Sequence, residues 1–479
     1  MLPGDRSHTN FGRVVVWLLI AATAGLAVYL QKARSESDDA PPPTAEALHA
    51  ADEGLGELDS IPTQSQLVGK LTIAMHGLAP TVDSKQVLAQ AESLKQGGFK
   101  EQLGYSVLVG SIDGWSAGVE YANGLALPSK ASVAAKELRD EVVAAMAKRI
   151  ELAADGDEEG KGAVAEVAAL KPKLGFFAEA LGPDAVTSSA ATMVVLLAVG
   201  GWYLLVFLGG VIALVVLLVL AMRGTVRPAI RLADNARTAL VLGETFALWL
   251  ATYLAVNLLS ALFILPALAD AGENAQLCVS IGMMLSSLVV LVYPAYRGVG
   301  WTELRALVGL HCGKGVPMEV LQGLLCYISA VPILLLGVIV YAILSAIDAA
   351  INGQGKPPSH PVVDLLAHAT GWQIVLLLLL ASVVAPIVEE IMFRGFLYGH
   401  LRGSILPQAR VVSMLISAVA SSTVFAIVHP QGVLFVPALG GLAVGFCLYR
   451  EMRGSLIAPM VAHGVNNAVT LTIGLTLLS

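Results

Sequence analysis

The chain has 479 residues, of which 56% are hydrophobic and only 14% are charged, and its mean hydropathy is +0.74. A single soluble core cannot bury that much apolar surface, so the composition predicts an integral membrane protein. The net charge is −7, and residues 31–187 carry the acidic excess, with 24 Asp and Glu against 14 Lys and Arg. Because nucleic-acid binding needs clustered Lys and Arg, the charge distribution argues against a nucleic-acid partner.

The first candidate membrane segment lies at the N-terminus. Residues 14–30 are apolar and about long enough to cross a bilayer, and Arg6 and Arg13 precede them. This run is longer than the apolar core of a usual signal peptide and lacks a clear small-x-small cleavage site. We therefore interpret residues 1–34 as a tail with an uncleaved transmembrane anchor. A linker rich in proline and aspartate follows over residues 35–44.

The acidic segment, residues 35–187, is rich in Ala, Glu, Lys and Leu, and this composition favours helices. Within it, residues 133–152 space their apolar side chains as a helix with one buried face does. The segment contains no repeat, nucleotide-binding loop or ligand-like spacing. We predict a mostly helical soluble domain, whose partner the sequence does not identify.

Eight further apolar runs predict an eight-helix membrane domain over residues 188–479. Arg and Lys fall in every second connection, and the positive-inside rule makes those four connections cytoplasmic. Because each predicted helix crosses the membrane once, counting the crossings places the N-terminus in the cytoplasm and the acidic domain on the opposite side of the membrane. The predicted fold is an all-α polytopic bundle of about nine transmembrane helices in a bacterial inner membrane, with an inserted helical domain. The eight runs are residues 190–222, 246–269, 275–296, 320–344, 373–387 and beyond, 411–428, 433–449 and 456–478.

The segment 386–394, Pro-Ile-Val-Glu-Glu-Ile-Met-Phe-Arg, places two carboxylates and a guanidinium in an apolar helical run. Ionisable groups are costly inside a membrane and mark functional-site candidates. Glu390 and Arg394 are four residues apart, so a helix places them on one face as an ion pair. Glu389 is rotated from that face by about 100°, which frees it to project into a cavity as a general base.

Three more polar residues occur in later apolar runs. His429 closes one run, whereas His463 and Asn467 share a helix face four residues apart in the last run. At about 1.5 Å per residue, His463 and Glu389 lie at similar depths, about 18 to 24 Å from the cytoplasmic side. His429 lies nearer 28 Å unless its helix tilts or begins after an in-plane stretch. A proline close to each site favours irregular helices around a cavity.

Two reaction schemes fit these residues. In the first, Glu389, assisted by His429, activates a water that attacks a peptide carbonyl, while His463 and Asn467 donate hydrogen bonds to the oxyanion. In the second, Glu389, His429 and His463 bind a Zn²⁺ ion whose fourth position holds the water. The compact His-Glu-x-x-His zinc motif is absent from the sequence. The residues alone leave both schemes open.

Three motifs occur in a fixed order: Glu389-Glu390-x-x-x-Arg394, Phe425-x-x-x-His429 and His463-x-x-x-Asn467. Over residues 372–475 this order resembles the CPBP family of intramembrane proteases, the CAAX prenyl endopeptidase, bacteriocin-processing and Abi group. The resemblance implies an eight-helix proteolytic core in which Glu389 activates water with help from His429, and His463 and Asn467 hold the oxyanion. For this family, too, both a metal-free and a metal mechanism are considered. The N-terminal anchor and the soluble domain are additions to the family core.

We therefore expect an intramembrane endopeptidase that cleaves a membrane-embedded or lipidated peptide or protein within the lipid bilayer. Two alternatives belong to other classes of protein. A non-catalytic immunity or scaffold protein would use the polar cluster to hold its helices together, and a proton-coupled transporter would carry protons on its buried acids. The intact motifs favour the protease, because a scaffold would keep most of its hydrogen bonds with Gln in place of Glu389.

Overall fold

A computed structural model describes residues 61, 63–78, 81–95, 97–127, 133–157, 161–182, 184–225, 227–268, 272–352, 371–406 and 408–478, with isolated positions 16, 20, 21, 366 and 369. Every regular element in these residues is a helix, which confirms the predicted all-α fold class. The predicted anchor and linker, residues 1–44, lie outside the described residues except at three positions. The chain divides into two compact units, one formed mainly by Pro41–Trp202 and the other by Tyr203–Pro361 with Ala369–Thr472.

The smaller unit is a cluster of short helices around a core of its own. Phe177 is fully buried, and its ring fills the space beside two glycines, Gly69 and Gly104. A Cβ atom added to either glycine would lie 2.6 to 2.7 Å from that ring, so the close packing requires both glycines. The helix predicted over residues 133–152 is present. The helices are α1 Thr63–Leu78, α2 Ser84–Leu88, α3 Glu92–Lys95, α4 Phe99–Asp113, α5 Trp115–Gly124, α6 Val133–Ala154, α7 Val164–Leu174 and α8 Phe176–Glu179.

Each of the eight predicted apolar runs is helical. Seven helices in the described residues are long and apolar enough to cross a membrane, and the chain is an integral, multi-pass membrane protein. The last helix is not one of these seven, and it carries His463, Asn466 and Asn467 near its middle. The helices are α9 Asp184–Met222, α10 Ala236–Ile264, α11 Glu273–Tyr296, α12 Trp301–Val308, α13 Val316–Asn352, α14 Trp372–Ser404, α15 Arg410–Ile427, α16 Val436–Arg453 and α17 Ile457–Leu478.

The four basic connections meet at one end of the larger unit. After α9, the backbone N–H of Ala229 donates to the Glu451 carbonyl at 2.8 Å. After α16, the N–H of Leu456 donates to the Gly309 carbonyl of the α12–α13 connection at 3.0 Å. Arg402, near the end of α14, pairs with the Glu451 carboxylate at 2.6 Å. These contacts place the four connections on one side, as the count of crossings requires, and the identity of that side stays a prediction.

Two arginines counted in those connections are not exposed loop charges. Arg402 and Arg450 are buried, and Arg450 donates to the backbone carbonyls of Leu307 and Gly454. Buried arginines of this kind join helix ends through their fixed array of donors. The orientation argument therefore depends on fewer solvent-exposed charges than the sequence count implies.

Helix α14 departs twice from regular α geometry, which the sequence spacing does not reveal. The segments Leu380–Val384 and Ile391–Leu397 are π-helical, and the α-helical turn Ala385–Glu390 lies between them. In a π-turn the hydrogen bond spans five residues instead of four, so the helix widens locally. Both irregular segments flank the two glutamates, and π-turns are frequent at functional sites.

Candidate active site

Glu390 and Arg394 form the buried ion pair that their spacing predicts. Arg394 Nη1 donates to Glu390 Oε1 at 2.8 Å, and both side chains are 0% exposed. The guanidinium also lies against two aromatic rings, with its Cζ atom 4.4 Å from the centroid of Phe425 and 5.1 Å from that of Phe446. The carboxylate and the two ring faces together offset the cost of burying the cation.

Glu390 has a second partner that the sequence analysis missed. Nδ1 of His463 lies 2.9 Å from the same Oε1 atom that binds Arg394. Because an ionised carboxylate only accepts hydrogen bonds, Nδ1 carries the hydrogen of this contact. The imidazole also packs between Phe425, edge-on at 5.8 Å, and Phe446, stacked at 5.5 Å between centroids. These contacts fix the His463 ring and leave its Nε2 atom facing Glu389.

Glu389 lies between the two predicted histidines. Its Oε2 atom is 3.7 Å from Nε2 of His429 and 3.7 Å from Nε2 of His463. The side chain is 15% exposed, and Oε2 is buried with no hydrogen-bond partner among the described residues. A separation of 3.7 Å is too long for a direct hydrogen bond, yet one water can bridge it. The structure thus brings one carboxylate oxygen and two imidazole nitrogens to a common point.

His429 follows the end of α15 and is oriented by that helix. Its Nδ1 atom lies 2.6 Å from the carbonyl of Phe425, four residues earlier, and the two rings are 4.2 Å apart between centroids. A carbonyl only accepts, so Nδ1 is the donor and Nε2 is directed toward Glu389. Nε2 of His429 lies 3.7 Å from Glu389 Oε2, so the two side chains reach one depth. From the sequence this is expected only for a tilted helix or one that begins after an in-plane stretch. Helix α15 spans Arg410–Ile427, and His429 lies two residues beyond its end.

Asn467 contacts the first π-helical segment of α14. Its Nδ2 atom donates to the Ala381 carbonyl at 2.7 Å, and its Oδ1 atom accepts from Asn466 Nδ2 at 3.2 Å. The bond to Ala381 joins α17 to α14 before the glutamates, and the bond from Asn466 lies within α17. The part in oxyanion binding that the sequence assigns to Asn467 stays a prediction.

The zinc scheme requires three converging ligands. Within the part of the chain that the structure describes, no group of three or more His, Cys, Asp and Glu side chains has the arrangement of a metal site. The two Nε2 atoms lie 3.7 Å from Glu389 Oε2, whereas ligand atoms of tetrahedral zinc are about 3.3 Å apart. As placed, these residues do not fit the ion, so we derive no step through a metal. Zinc binding stays a prediction.

A second buried cluster lies further along α14, and the sequence analysis did not identify it. Arg402 donates to both carboxylate oxygens of Glu451, at 2.6 and 3.0 Å, and to Ser413 Oγ at 2.8 Å. The Tyr398 hydroxyl donates to Glu451 Oε2 at 2.8 Å. The sequence contained a signal for this cluster, because polar residues recur on α14 every four positions. They are Glu390, Arg394, Tyr398 and Arg402.

The fold and site define a class: a multi-pass membrane protein with a buried carboxylate between two imidazoles. Comparison with known proteins shows what part of the chain is similar to. Residues 371–469, about a fifth of the chain, match the family model described as type II CAAX prenyl endopeptidase Rce1-like. The motif resemblance to CPBP intramembrane proteases is confirmed.

One curated relative supports the same assignment. The chain is 28% identical over 116 residues to the membrane-embedded CAAX protease MroQ of Staphylococcus aureus (strain USA300). The alignment covers 24% of this chain and 44% of that protein, which is less than half of either. No solved structure gives a significant match.

Proposed function

We propose that the chain is an intramembrane endopeptidase of the CAAX-protease type that hydrolyses a peptide bond with a water activated by Glu389. The observation that carries the proposal is the placement of Glu389 Oε2, which is buried, has no hydrogen-bond partner among the described residues and lies 3.7 Å from both Nε2 atoms. A carboxylate oxygen in this position can accept a proton from a water that the imidazoles also contact. The match of residues 371–469 to the CAAX endopeptidase family supports the same chemistry.

The proposed reaction begins when Glu389 takes a proton from the water. The water oxygen bonds to the peptide carbonyl carbon, and the electron pair of the C=O double bond moves to the carbonyl oxygen. His429 orients the water, while the Asn467 amide and Nε2–H of His463 bind the oxyanion. Because Nδ1 of His463 donates to Glu390, Nε2 can donate only when the ring is protonated on both nitrogens. When the intermediate collapses, the C–N bond breaks and the proton held by Glu389 passes to the leaving amine. Atoms and charges balance, and Glu389 is again ionised.

The pair of Glu390 and Arg394 has a supporting part in this scheme. Glu390 Oε1 accepts from both Arg394 and His463 Nδ1, so it fixes the imidazole through one atom. Because the ion pair is neutral as a whole, Glu390 orients His463 without adding net charge to the site. A carboxylate behind a histidine is a common means of holding the ring in one orientation.

The depth of the site favours a substrate that reaches it from the membrane. Glu389 precedes Arg402 by 13 residues on α14, and Arg402 lies at the basic end of the bundle. At roughly 1.5 Å per residue this is about 20 Å. We propose that the basic end is cytoplasmic, that the membrane is a bacterial inner membrane, and that the substrate is a membrane-embedded or lipidated peptide or protein. The soluble domain then faces away from the cytoplasm.

The decisive experiment compares protein termini in membranes that contain the wild type or Glu389→Gln. We expect at least one new terminus that requires the carboxylate, because the amide can orient a water but cannot take its proton. The variant must be folded, as judged by its melting temperature and elution volume. Full activity of purified Glu389→Gln on the identified substrate would eliminate the general-base role. Identical termini in both membranes would favour the scaffold reading.

Elemental analysis of the purified protein tests the zinc scheme. If the reaction needs no metal, activity should survive treatment with a chelator, and the purified protein should contain no stoichiometric metal. Near-stoichiometric zinc, with activity lost to a chelator and restored by the metal, would replace the metal-free scheme. The transporter alternative predicts proton movement across the membrane of sealed vesicles that contain the protein. The protease hypothesis predicts no such movement.

A labelling experiment tests the orientation. Cys312 is exposed in a basic connection, and Glu137 is exposed on α6 of the smaller unit. In a Cys278→Ser background, a membrane-impermeant maleimide applied to spheroplasts should label Glu137→Cys and leave Cys312 unlabelled until the cells are lysed. The reverse pattern would invert the proposed topology.

A further inference from the structure

Helix α14 contains a carbonyl that its own backbone leaves without a donor. The N–H of Ala385 donates to the Leu380 carbonyl, a five-residue step that belongs to the π-helical segment. The next carbonyl in that register is Ala381, and its donor would be residue 386. Residue 386 is proline, which has no N–H. Within a membrane, where no lipid group can donate, such a carbonyl needs a partner from another part of the protein.

Asn467 supplies that partner. Its Nδ2 atom donates to the Ala381 carbonyl at 2.7 Å. Asn466 Nδ2 donates to the Oδ1 atom of the same amide at 3.2 Å, and this bond fixes which end of the amide faces α14. Neither Asp nor a hydrophobic residue at position 467 could make this contact at neutral pH, because the carbonyl requires a donor.

Gly464 makes the close approach of the two helices feasible. It lies one helical turn before Asn467, and a Cβ atom built on it would be 2.4 Å from the Ser382 carbonyl oxygen. Ser382 is four residues before Pro386, so its carbonyl is the one that the proline ring would clash with in a regular α-helix. Gly464 and Asn467 therefore contact α14 at the two carbonyls that Pro386 affects.

The same two helices carry two of the proposed catalytic side chains. Glu389 follows Pro386 by three residues on α14, and His463 directly precedes Gly464 on α17. We infer that Asn467 is a positioning residue that holds the π-helical segment of α14 against α17 and thereby sets the distance between Glu389 and His463. This inference rests on the proposed function, and it gives Asn467 a contact with the protein backbone in addition to the predicted contact with the oxyanion.

A double-mutant cycle between positions 386 and 467 separates the two contacts. Asn467→Ala alone should lower kcat, because α14 is no longer held against α17 and the distance between Glu389 and His463 changes. Pro386→Ala restores an N–H at residue 386, which can then bond within α14. In the Pro386→Ala background, the fold loss of kcat caused by Asn467→Ala should be at least about tenfold smaller than in the wild type. The reason is that the effects of substitutions at coupled residues are not additive. An equal loss in both backgrounds would leave only the oxyanion contact and overturn the inference.

Amide hydrogen exchange provides a readout that does not depend on turnover. Measured in the inactive Glu389→Gln background, Asn467→Ala should accelerate exchange of the α14 amides near residues 382–390 by about tenfold or more, because the helix loses an anchor. Unchanged exchange in these amides would contradict the positioning role even if activity falls. Accelerated exchange would support it even if the chain proves not to be a protease, so the two proposals fail separately.

Two further variants keep the test informative if Pro386→Ala misfolds. Asn466→Ala keeps the Asn467 amide but removes the bond that orients it, so we expect a smaller acceleration of exchange than with Asn467→Ala. Thr470→Val is the matched control on α17, because the bond that the described residues show for the Thr470 hydroxyl lies within its own helix, to the Asn466 carbonyl. It should leave exchange in α14 unchanged. If Asn466→Ala behaves like this control and Asn467→Ala does too, the inference is wrong.

Discussion

The two buried polar clusters on α14 differ in how completely their groups are paired. In the cluster of Arg402 and Glu451, both carboxylate oxygens accept hydrogen bonds, and Tyr398 adds a third donor. In the cluster around Glu389, Oε2 of Glu389 and Oε2 of Glu390 are buried and have no hydrogen-bond partner among the described residues. We call the first cluster closed, because both of its carboxylate oxygens are paired. The second cluster is open, because it leaves two carboxylate oxygens that can accept hydrogen bonds from another molecule.

This difference suggests how to separate structural from functional charges inside a membrane protein. Buried polar groups that satisfy one another hold helices in place, while groups left open at considerable energetic cost indicate a site for a ligand or a reaction. In the sequence, Arg402 and Glu451 look like loop charges, whereas Glu389, Glu390 and Arg394 lie in an apolar run. Only the hydrogen-bond partners show which cluster is closed. The following substitutions test that distinction.

The largest expected effect is on catalysis. Glu389→Gln should lower the cleavage rate by about 10² to 10⁴-fold, the range usual for loss of a general base. The melting temperature should stay close to that of the wild type, since Glu389 Oε2 has no hydrogen-bond partner among the described residues to lose. The measurement pairs single-turnover cleavage with thermal unfolding in the same detergent. A variant that loses stability as strongly as activity would place Glu389 among the closed, structural groups.

The next effect combines stability and activity. Arg394→Ala leaves Glu390 buried without its cation and removes the guanidinium from Phe425 and Phe446, at a cost of about 3 to 5 kcal/mol in the free energy of unfolding. Activity per folded molecule should fall as well, because Glu390 also orients His463. Denaturant titration and cleavage assays on the folded fraction measure the two parts. Unchanged melting would contradict the buried pair.

Arg402→Ala should cost about as much stability, about 3 to 5 kcal/mol, because Glu451 loses the bidentate partner of a buried pair. Unlike Arg394→Ala, it should leave the activity of the folded molecules within about twofold of the wild type, since none of the Arg402 contacts described above involves the Glu389 site. Comparison of the two arginine variants under identical conditions is the sharpest test of the difference between the clusters. If Arg402→Ala lost activity but not stability, the proposed difference between the two clusters would be contradicted.

The smallest effect belongs to a single hydrogen bond of the closed cluster. Tyr398→Phe deletes the donor to Glu451 Oε2 but keeps the ring and both bonds from Arg402. We expect a loss of about 1.5 to 3 kcal/mol in the free energy of unfolding, the usual net contribution of a hydrogen bond to a charged group. Equilibrium unfolding resolves a change of this size. A loss above that of Arg402→Ala would show that the hydroxyl, and not the arginine, holds this cluster together.

Several features of the site could be predicted from the sequence, because they depend on the spacing of neighbouring residues or on the order of short motifs. The four-residue step from Glu390 to Arg394 places their side chains on one helix face. The order of the glutamate, histidine and asparagine motifs predicted that Glu389, His429 and His463 would meet. These inferences need only helix periodicity and the cost of leaving ionisable groups in lipid.

Other features have no local signature. The shared Oε1 atom of Glu390 joins residues 73 positions apart, and Glu451 reaches Arg402 across 49 positions. The depth at which His429 meets Glu389 depends on how α15 packs against α14, which a count of residues along one helix does not give. The contact of Asn467 with Ala381 needs a π-turn, whose register no apolar period specifies.

By itself the sequence determined that this is an all-α, multi-pass membrane protein, which side chains carry its candidate chemistry, and that Glu390 pairs with Arg394. These properties follow from hydropathy and helix periodicity, which act on neighbouring residues. The tertiary structure decided which acid stays open between the two imidazoles and which is closed by Arg402. It decided this because helix packing sets hydrogen-bond partners between distant segments, and a register change of one residue redirects a side chain by about 100°.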